Sequence, residues 1–288
     1  MKISNVLLLP NPKKEEAIRI AAGLSRFITE SGRTAYVLPQ VCAPMHDEPV
    51  FPLKDEQISQ MDLLVPLGGD GTILGSIRRF KDFPIPILGV NLGDVGFLAE
   101  VEPDNAEEAL TRVFNGEYHI EERILLEGQI DKQDGSDPIV FSAMNDVLIN
   151  RHMMASLIQM DVSINGQLID SYLGDGLLIC TPTGSTAYNL SAGGPIVAPS
   201  ARNLVITPIC VHSLNVRSIV TSEEDEISVK IGAGKNDPNH PSIISIDGQK
   251  HEWLICGDKV TVRRSSKTVP IIKLGERTFY QTLKQKLF

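Results

Sequence analysis

The 288-residue chain is 42% hydrophobic, which is enough to build one large domain or two ordinary ones. Its formal charge of −9 argues against a nucleic-acid-binding protein, because such a surface needs clustered Lys and Arg. No apolar run approaches the roughly 20 residues of a membrane helix, and "MKISNVLLLPNP" is broken by proline too early for a secretory signal. We therefore expect a globular, cytoplasmic protein that binds neither nucleic acid nor membrane.

The four cysteines are widely spaced and include no C-x-x-C pair. They predict buried free thiols rather than a metal site or disulfides.

Short apolar strands alternate with helical patterns through the first part of the chain. Strands are predicted at "NVLLLP", "TAYVLP", "MDLLVPL" and "IPILGVN", and helices at 13–32, near 72–80 and near 104–114. Fully apolar short strands that alternate with helices are typical of a parallel sheet covered on both faces.

Beyond residue 118 the pattern changes to strand-like segments separated by the turns "DGS", "NGQ" and "DGQ". This pattern predicts an antiparallel, layered all-β region. The last residues, "GERTFYQTLKQKLF", have a helical pattern and are expected to return to the α/β part. The predicted domains are therefore an α/β domain of residues 1–118 with about 265–288, and a mostly-β domain of residues 119–264.

A glycine-rich turn, "GGDGT", follows one of the apolar strands. Gly68, Gly69 and Gly71 permit a tight turn, and the helix predicted from Thr72 offers unpaired N–H groups to a phosphate. The carboxylate of Asp70 repels phosphate unless a divalent cation bridges the two or a hydroxyl gives Asp70 its proton, and both situations indicate phosphoryl transfer. The alternative is that Asp70 caps the helix, which capping preference alone favours by about two to one.

Residues 174–196, "GDGLLICTPTGSTAYNLSAGGPI", crowd hydroxyl groups after another apolar strand, and a helix is predicted from Ser185. The hydroxyl groups belong to Thr181, Thr183, Ser185, Thr186 and Tyr188. Such a cluster suits sugar hydroxyls, a base edge or a phosphate. The alternative is a hydrogen-bonded turn with a helix cap, which explains two of the hydroxyls and leaves the others idle. Asp175, between two glycines, is available to a polyol or a metal.

In "MNDVLINR", Asn145 and Asp146 interrupt an apolar strand pattern. An Asn–Asp pair can bind a ribose hydroxyl or an adenine edge. A bulge or a turn at the strand end is the alternative.

Four motifs together resemble the NAD kinase family in order and spacing: "GGDGT", "GFL" at 96–98, "ND" at 145–146 and "TPTGSTAYNLSAGGP" at 181–195. Diacylglycerol and sphingosine kinases and phosphofructokinases share a related glycine-rich loop, so the threonine-rich motif is the more diagnostic. The resemblance implies ATP-dependent phosphorylation of the adenosine-ribose 2′-hydroxyl of NAD with Mg²⁺ or another divalent ion, and polyphosphate as donor in some members. It also implies a Rossmann-like N-terminal domain, a mostly β C-terminal domain and a homodimer or homotetramer.

The resemblance assigns roles to individual positions of this sequence. Asp70 matches the residue proposed as the base that activates the 2′-hydroxyl, and Asn145 with Asp146 matches the pair that binds adenosine and ribose. The family often has Glu where this chain has Asp146. Further positions expected at NAD are Gly71, Phe97, Leu98, Asp175, Thr183, Thr186, Ala187 and Tyr188. Positions expected at the phosphate donor are Gly68, Gly69, Gly71, Thr72 and Asp247.

Two alternatives are open, one within the kinases and one from another class of protein. A lipid or sugar kinase would share the glycine-rich loop, but the hydroxyl-rich motif suits a nucleotide and no amphipathic stretch indicates lipid docking. A dinucleotide sensor would keep the pocket and transfer no phosphate.

Overall fold

The computed structural model describes residues 3–93, 96–152, 157–213, 215–233, 241–275 and 277–287. The chain divides into two compact units, Met1–Glu122 with Val269–Phe288, and Arg123–Thr268. None of the helices in the described residues is long and apolar enough to cross a membrane.

The first unit contains a four-stranded parallel sheet in the order β3-β2-β1-β4. Its strands and helices are β1 (Asn5–Pro10), α1 (Glu15–Glu30), β2 (Thr34–Val37), α2 (Pro39–Cys42), β3 (Val50–Pro52), β4 (Leu63–Leu67), α3 (Asp70–Phe80) and α4 (Ala106–Asn115). Val6 and Leu8 of β1 share a buried cluster with α1 and α4, and Leu7 of the same strand is buried on the opposite face. Burial on both faces confirms the predicted parallel sheet.

Helix α1 illustrates how the sequence pattern produces this packing. Ala17, Ala21, Leu24 and Ile28 recur at helical spacing and are all buried. Their common face joins the cluster that covers β1, and Gly32 follows the helix with a φ of +73°. A left-handed residue just beyond a helix is a common way to end it.

The strand predicted over "IPILGVN" forms only isolated bridges, at Ile87 and Val90. The N–H of Leu88 donates to Leu64 O and that of Val90 to Pro66 O, as in a parallel ladder. Pro66 has no N–H to donate, so the ladder is interrupted at that point. The segment therefore lies beside β4 without forming a continuous strand.

The second unit consists mainly of antiparallel strands in two six-stranded sheets, β12-β11-β10-β7-β14-β15 and β6-β5-β16-β13-β8-β9. The strands and the short helix are β5 (His119–Asp131), β6 (Ile139–Ala143), β7 (Asp146–Arg151), β8 (Ile158–Ile164), β9 (Gln167–Gly174), β10 (Gly176–Cys180), α5 (Tyr188–Ser191), β11 (Asn203–Ile209), β12 (Ile219–Ser222), β13 (Ile227–Ile231), β14 (Ser242–Ile246), β15 (Lys250–Leu254) and β16 (Lys259–Lys273). Ile149 and Ile179 from one sheet share a buried cluster with Val162 and Val229 from the other. The predicted layered all-β region is confirmed.

The chain ends in helix α6 (Phe279–Leu287), which belongs to the first unit. The ring of Phe279 lies 6.1 Å from that of Phe97, and Nζ of Lys286 lies 4.7 Å from the centre of the Phe97 ring. The predicted return of the C-terminus to the α/β part is confirmed.

All four cysteines are free thiols, but the prediction that they are buried is wrong. Only Cys180 is buried, because it lies in β10, a strand with a neighbour on each side. Cys42 and Cys256 are half-buried, and Cys210 is exposed just beyond the end of β11.

Candidate functional site

In the first unit, β1 and β4 are parallel neighbours whose connections leave in different directions. From β1 the chain passes through α1 to β2 on one side, whereas β4 lies on the other side and leads into α3. Open parallel sheets bind ligands in the crevice at such a point, beyond the carboxyl ends of the strands. The segments there are residues 11–14 after β1 and residues 68–72 after β4, and Asn11 N–H joins them by donating to Leu67 O at 3.0 Å.

The glycine-rich turn passes directly from β4 into α3. Gly68 N–H donates to Val90 O at 2.9 Å, and the N–H of Thr72 donates to Gly69 O at 2.8 Å. A Cβ at position 68 would overlap the Thr72 side chain, so only glycine allows the helix to begin this close to the strand. Gly71, in the first turn, is exposed. The N–H groups of Asp70 and Gly71, at the start of α3, precede these hydrogen bonds and are available to an anion.

The carboxylate of Asp70 binds a second loop of the same unit. Oδ2 accepts the N–H of Phe97 at 2.9 Å, and Oδ1 accepts the N–H of Leu98 at 3.1 Å. A Cβ at Gly96 would overlap Oδ1, so glycine is required for this approach. The alternative that Asp70 caps the helix is wrong: α3 begins at Asp70 itself, Gly69 is the N-cap residue, and no side chain caps the helix.

The two residues that Asp70 binds differ in what they offer a ligand. Leu98 is only 4% exposed, so its side chain belongs to the core. Phe97 is half-buried, and its ring contacts α6 on one side. Of the two, Phe97 is the residue whose side chain retains accessible surface.

Lys14 lies beside the glycine-rich turn and was missed in the sequence. Its Nζ donates to Leu92 O at 2.6 Å, and Leu92 N–H donates to Gly68 O at 3.3 Å. Nearby, Nδ2 of Asn11 lies 3.4 Å from Oγ1 of Thr72. The available signal was positional, since "NPKK" follows β1 just as "GGDGT" follows β4.

In the second unit, Asn145 and Asp146 lie where β6 has ended and β7 begins. The alternative of a strand-end turn is therefore the observed geometry, but it leaves Asp146 only 6% exposed, opposite Cys180 of β10. Burial, and next the negative charge of Asp247, raise the pKa of Asp146 to about 7. Asn145 is half-buried beside it.

Asp247 lies in the turn between β14 and β15 and contacts the same segment. Its carboxylate accepts three consecutive backbone N–H groups, from Met144 at 2.9 Å, Asn145 at 2.7 Å and Asp146 at 3.2 Å. The structure thus brings Asn145, Asp146 and Asp247 together.

Most hydroxyl groups of the threonine-rich motif have partners inside the unit. Thr181 Oγ1 donates to Met144 O at 2.6 Å, and Ser185 Oγ lies 3.1 Å from Val197 O. The two remaining threonine hydroxyls are also bound: Thr186 Oγ1 donates to Thr183 O at 3.3 Å, and Thr183 Oγ1 accepts from Arg123 at 3.2 Å. The expectation that only two hydroxyls have a structural role is wrong.

These bonds give the motif a different shape from the predicted helix. Thr183–Thr186 form a 3₁₀ turn, and α5 begins at Tyr188 rather than Ser185. A Cβ at Gly184 would overlap the carbonyl of Asn145, so this turn packs directly on the Asn–Asp segment. Thr183 is buried, Thr186 and Ala187 are half-buried, and Tyr188 is 43% exposed.

Asp175 and Tyr188 line a pocket of about 320 Å³ in the second unit. Its other lining residues are Asn150, Arg151, His152, Ile209 and Cys210. Nε of Arg151 lies 2.7 Å from Oδ1 of Asp175, so the acidic side chain is paired with a cation within the pocket. Arg151 and Arg123 are residues that the sequence patterns did not indicate.

Among the residues that the structure describes, no three His, Cys, Asp or Glu side chains converge as a metal cluster. Asp175 is paired with Arg151, which offsets the charge that a metal would need.

The sequence matches two protein families, the ATP-NAD kinase N-terminal domain over residues 6–118 and the ATP-NAD kinase C-terminal domain over residues 144–274. It is 36% identical over 280 residues to an NAD kinase of Lachnoclostridium phytofermentans, covering 97% of each chain. It is also 36% identical over 285 residues to an NAD kinase of Caldanaerobacter subterraneus subsp. tengcongensis, covering 99% of each.

Two solved structures resemble the fold. A yeast NADH kinase crystallised with NADH has a TM-score of 0.90 at 28% identity, over 99% of this chain and 88% of the yeast chain. An NAD kinase from Archaeoglobus fulgidus in complex with ATP has a TM-score of 0.74 at 24% identity, over 98% of this chain and 99% of its own. The second likeness supports the fold alone.

Replacing Asp146 by Asn should change how stability depends on pH. In the folded chain this carboxyl has a pKa of about 7, so it keeps its proton where an unfolded Asp, with a pKa of about 4, has lost it. The contribution of Asp146 to the wild-type free energy of unfolding therefore falls as pH rises from about 4 to 7, by up to ~1.4 kcal/mol per pH unit. Asp146→Asn lacks this fall, so its stability relative to wild type should rise over that range and then level off.

Urea unfolding of both proteins at each pH measures this difference. Asp137→Asn, which removes a carboxylate from an exposed position, is the control for the loss of one charge. A flat difference for Asp146→Asn would contradict the raised pKa.

Proposed function

Because the chain belongs to the ATP-NAD kinase family, we propose that it transfers a phosphoryl group from ATP to the 2′-hydroxyl of the adenosine ribose of NAD, giving NADP. The observation that carries the chemistry is the fixed carboxylate of Asp70 in the first turn of α3. Phosphoryl transfer asks a protein chiefly to hold donor and acceptor in line and to stabilise the moving charge.

Asp70 is suited to accept the proton of the hydroxyl. Each of its oxygens accepts one backbone N–H, which leaves a lone pair on each oxygen for a further donor. The two N–H groups also fix the direction of the carboxylate before substrate binds. A base that is already oriented does not have to be ordered during the reaction.

The donor phosphates are assigned to the end of the β1–β4 crevice. The first N–H groups of α3 can donate to the phosphate oxygens there. Lys14 adds a positive charge, since its Nζ binds Leu92 O and Leu92 N–H binds Gly68 O. This cation offsets the repulsion that Asp70 exerts on phosphate. Gly68, Gly69, Gly71 and Thr72 supply the turn.

We assign the acceptor to the side chains that the family resemblance predicts at NAD. Asn145 and Asp146 bind the adenosine, with the Asn145 amide as donor and acceptor and the Asp146 carboxylate as acceptor. Thr183, Thr186 and Ala187 contact the nucleotide mainly through their shape. The hydroxyls of the two threonines already have hydrogen-bond partners inside the protein. Tyr188 and Asp175 line the pocket assigned to the nicotinamide end, and Phe97, Leu98 and Gly71 complete the predicted set.

A divalent cation fits this donor site in the way Mg²⁺ binds at nucleotide sites, through substrate phosphates and one or two carboxylates. Asp70 is a carboxylate in this turn that could contribute. When bound, the ion would neutralise charge on the transferring group. Three further expectations stay predictions: the homodimer or homotetramer, the cytoplasmic location, and the two functional domains of residues 1–118 with 265–288 and of residues 119–264.

Purified protein incubated with NAD, Mg²⁺ and either ATP or polyphosphate, followed by an enzymatic assay specific for NADP, tests the proposal. NADP formation with ATP supports it, and the polyphosphate reaction decides the donor range. Tight NAD binding without NADP would identify a sensor instead.

Replacing Asp70 by Asn should lower kcat by about 10²- to 10⁴-fold, because the variant cannot accept the hydroxyl proton. The dissociation constant for NAD, measured by calorimetry, should change little because the acceptor keeps its other contacts. If kcat stayed within a few-fold of wild type, Asp70 would not be the base.

Gly96→Ala tests the position of the same carboxylate without removing its charge. The added Cβ overlaps Oδ1 of Asp70, so the carboxylate must move, and a displacement on the order of 1 Å should lower kcat by about 100-fold. Gly75→Ala in α3 is the control, since its Cβ would meet only a distant arginine atom. Equal activity of the two variants would show that the orientation of Asp70 does not matter.

Lys14→Gln should raise KM for ATP by about 10- to 100-fold, because a charge-assisted hydrogen bond to phosphate is lost. KM for NAD should be unaffected. Lys13→Gln removes the same charge one residue away, from an exposed side chain, and should change KM for ATP by about twofold at most. Steady-state kinetics with each substrate varied in turn separates these outcomes, and an equal effect of the two variants would contradict a specific contact.

A further inference from the structure

The hairpin of β14 and β15 ends in a tight turn that begins at Asp247. Gln249 N–H donates to Ile246 O at 3.1 Å, and Asp247 and Gly248 have φ angles of +48° and +67°. Two successive left-handed residues form a type I′ turn, whose twist matches an antiparallel hairpin. Aspartate is one of the few side chains that adopt this conformation readily, so the turn fixes where the carboxylate lies.

The tip of this hairpin binds the main chain that precedes β7. Three consecutive N–H groups, of residues 144–146, donate to the Asp247 carboxylate, and Asp247 N–H donates in return to Asp146 O at 3.0 Å. Hydrogen bonds to an ionised acceptor are stronger than those between neutral groups. One negative charge therefore holds the segment that carries Asn145 and Asp146.

The same segment supports the threonine-rich turn. Thr181 N–H donates to Asn145 O at 2.9 Å, and the Thr181 hydroxyl donates to Met144 O. Gly184 packs against the Asn145 carbonyl with no room for a Cβ. A displacement of residues 144–146 would therefore also displace residues 181–184.

We propose that Asp247 is a positioning residue for the acceptor nucleotide, acting through Asn145, Asp146 and the turn at 181–184. This inference rests on the proposed function, which assigns Asn145 and Asp146 to the adenosine of NAD. It differs from the donor contact that the family resemblance implies. A carboxylate that already accepts three N–H groups is committed to the protein, and its charge repels phosphate.

Asp247 also has an electrostatic effect that a purely structural residue lacks. Among the described residues, the titratable groups that interact electrostatically with Asp146 are Asp247 at the hairpin tip and Cys180 across the sheet. The charge of Asp247 raises the pKa of Asp146, so its removal lowers that pKa. If the ionised Asp146 accepts ribose hydroxyls, NAD affinity falls as Asp146 is protonated. In a variant without the Asp247 charge, this fall should occur at lower pH.

Asp247→Asn keeps the size of the side chain and removes the charge and one acceptor. We expect KM for NAD to rise by about 10- to 100-fold, since strong hydrogen bonds to the acceptor-binding segment are lost. KM for ATP should stay near the wild-type value, and kcat should change less than KM for NAD. In the variant, the acidic limb of the pH profile of kcat/KM for NAD should lie at lower pH.

Asp258→Asn is the matched control. Asp258 is fully buried in the same unit and accepts the backbone N–H groups of Gln133 at 2.8 Å and Ile255 at 3.0 Å. Lys132 Nζ also lies 3.2 Å from its Oδ2, so the loss of the Asp258 charge should lower stability at least as much as the loss of the Asp247 charge. It should leave KM for NAD and the pH profile unchanged.

A rise in KM for ATP without a rise in KM for NAD would overturn the proposal and make Asp247 a donor ligand. Equal kinetic changes in Asp247→Asn and Asp258→Asn would also overturn it, since stability alone would explain them. If Asp247→Asn does not fold, Asp247→Glu keeps the charge and changes only its reach, and KM for NAD should still rise selectively.

Hydrogen exchange of residues 144–146, followed by mass spectrometry, separates this inference from the proposed function. Faster exchange there in Asp247→Asn is expected whether or not the wild-type protein makes NADP. Unchanged exchange would overturn the positioning role even in an active enzyme. Absence of NADP formation by the wild type would contradict the proposed function alone.

Discussion

Backbone N–H groups in the loops that carry the functional side chains need acceptors, and two aspartates supply them. Asp70 accepts from residues 97 and 98, which lie 27 and 28 positions away, and Asp247 accepts from residues 144–146, about a hundred positions away. A loop N–H removed from water without an acceptor costs about 1–3 kcal/mol. Each loop therefore has its shape set by one negative charge.

Glycines make these contacts possible by letting main chains and side chains approach closely. Gly96 leaves room for the Asp70 carboxylate, and Gly184 lets the threonine-rich turn rest on the Asn145 carbonyl. Neither position has a left-handed backbone, so the requirement is for space rather than for an unusual φ. Each of these glycines thus lies where one segment of the chain packs directly against another.

The local parts of this architecture could be predicted from the sequence, and the long-range parts could not. Apolar periodicity and glycine turns are local signals, and they identified the parallel sheet, the layered β region and the loops that carry chemistry. The partners of Asp70 and of the threonine-rich hydroxyls are distant in sequence, so no spacing rule indicates them. The strand predicted over "IPILGVN" is interrupted because Pro66 of β4 has no N–H to donate to it. The sequence alone does not show that these two segments are neighbours.

Asp146 combines burial with a short side chain at the start of a strand. It begins β7, so its carboxyl stays close to the main chain that Asp247 holds, and the two carboxylates become neighbours in a buried place. Burial and that neighbouring charge raise its pKa to about 7. Near neutral pH the group is therefore present both as an acceptor and as an O–H donor. After burial, the charge of the hairpin that orders this segment is thus the second cause of the raised pKa of Asp146.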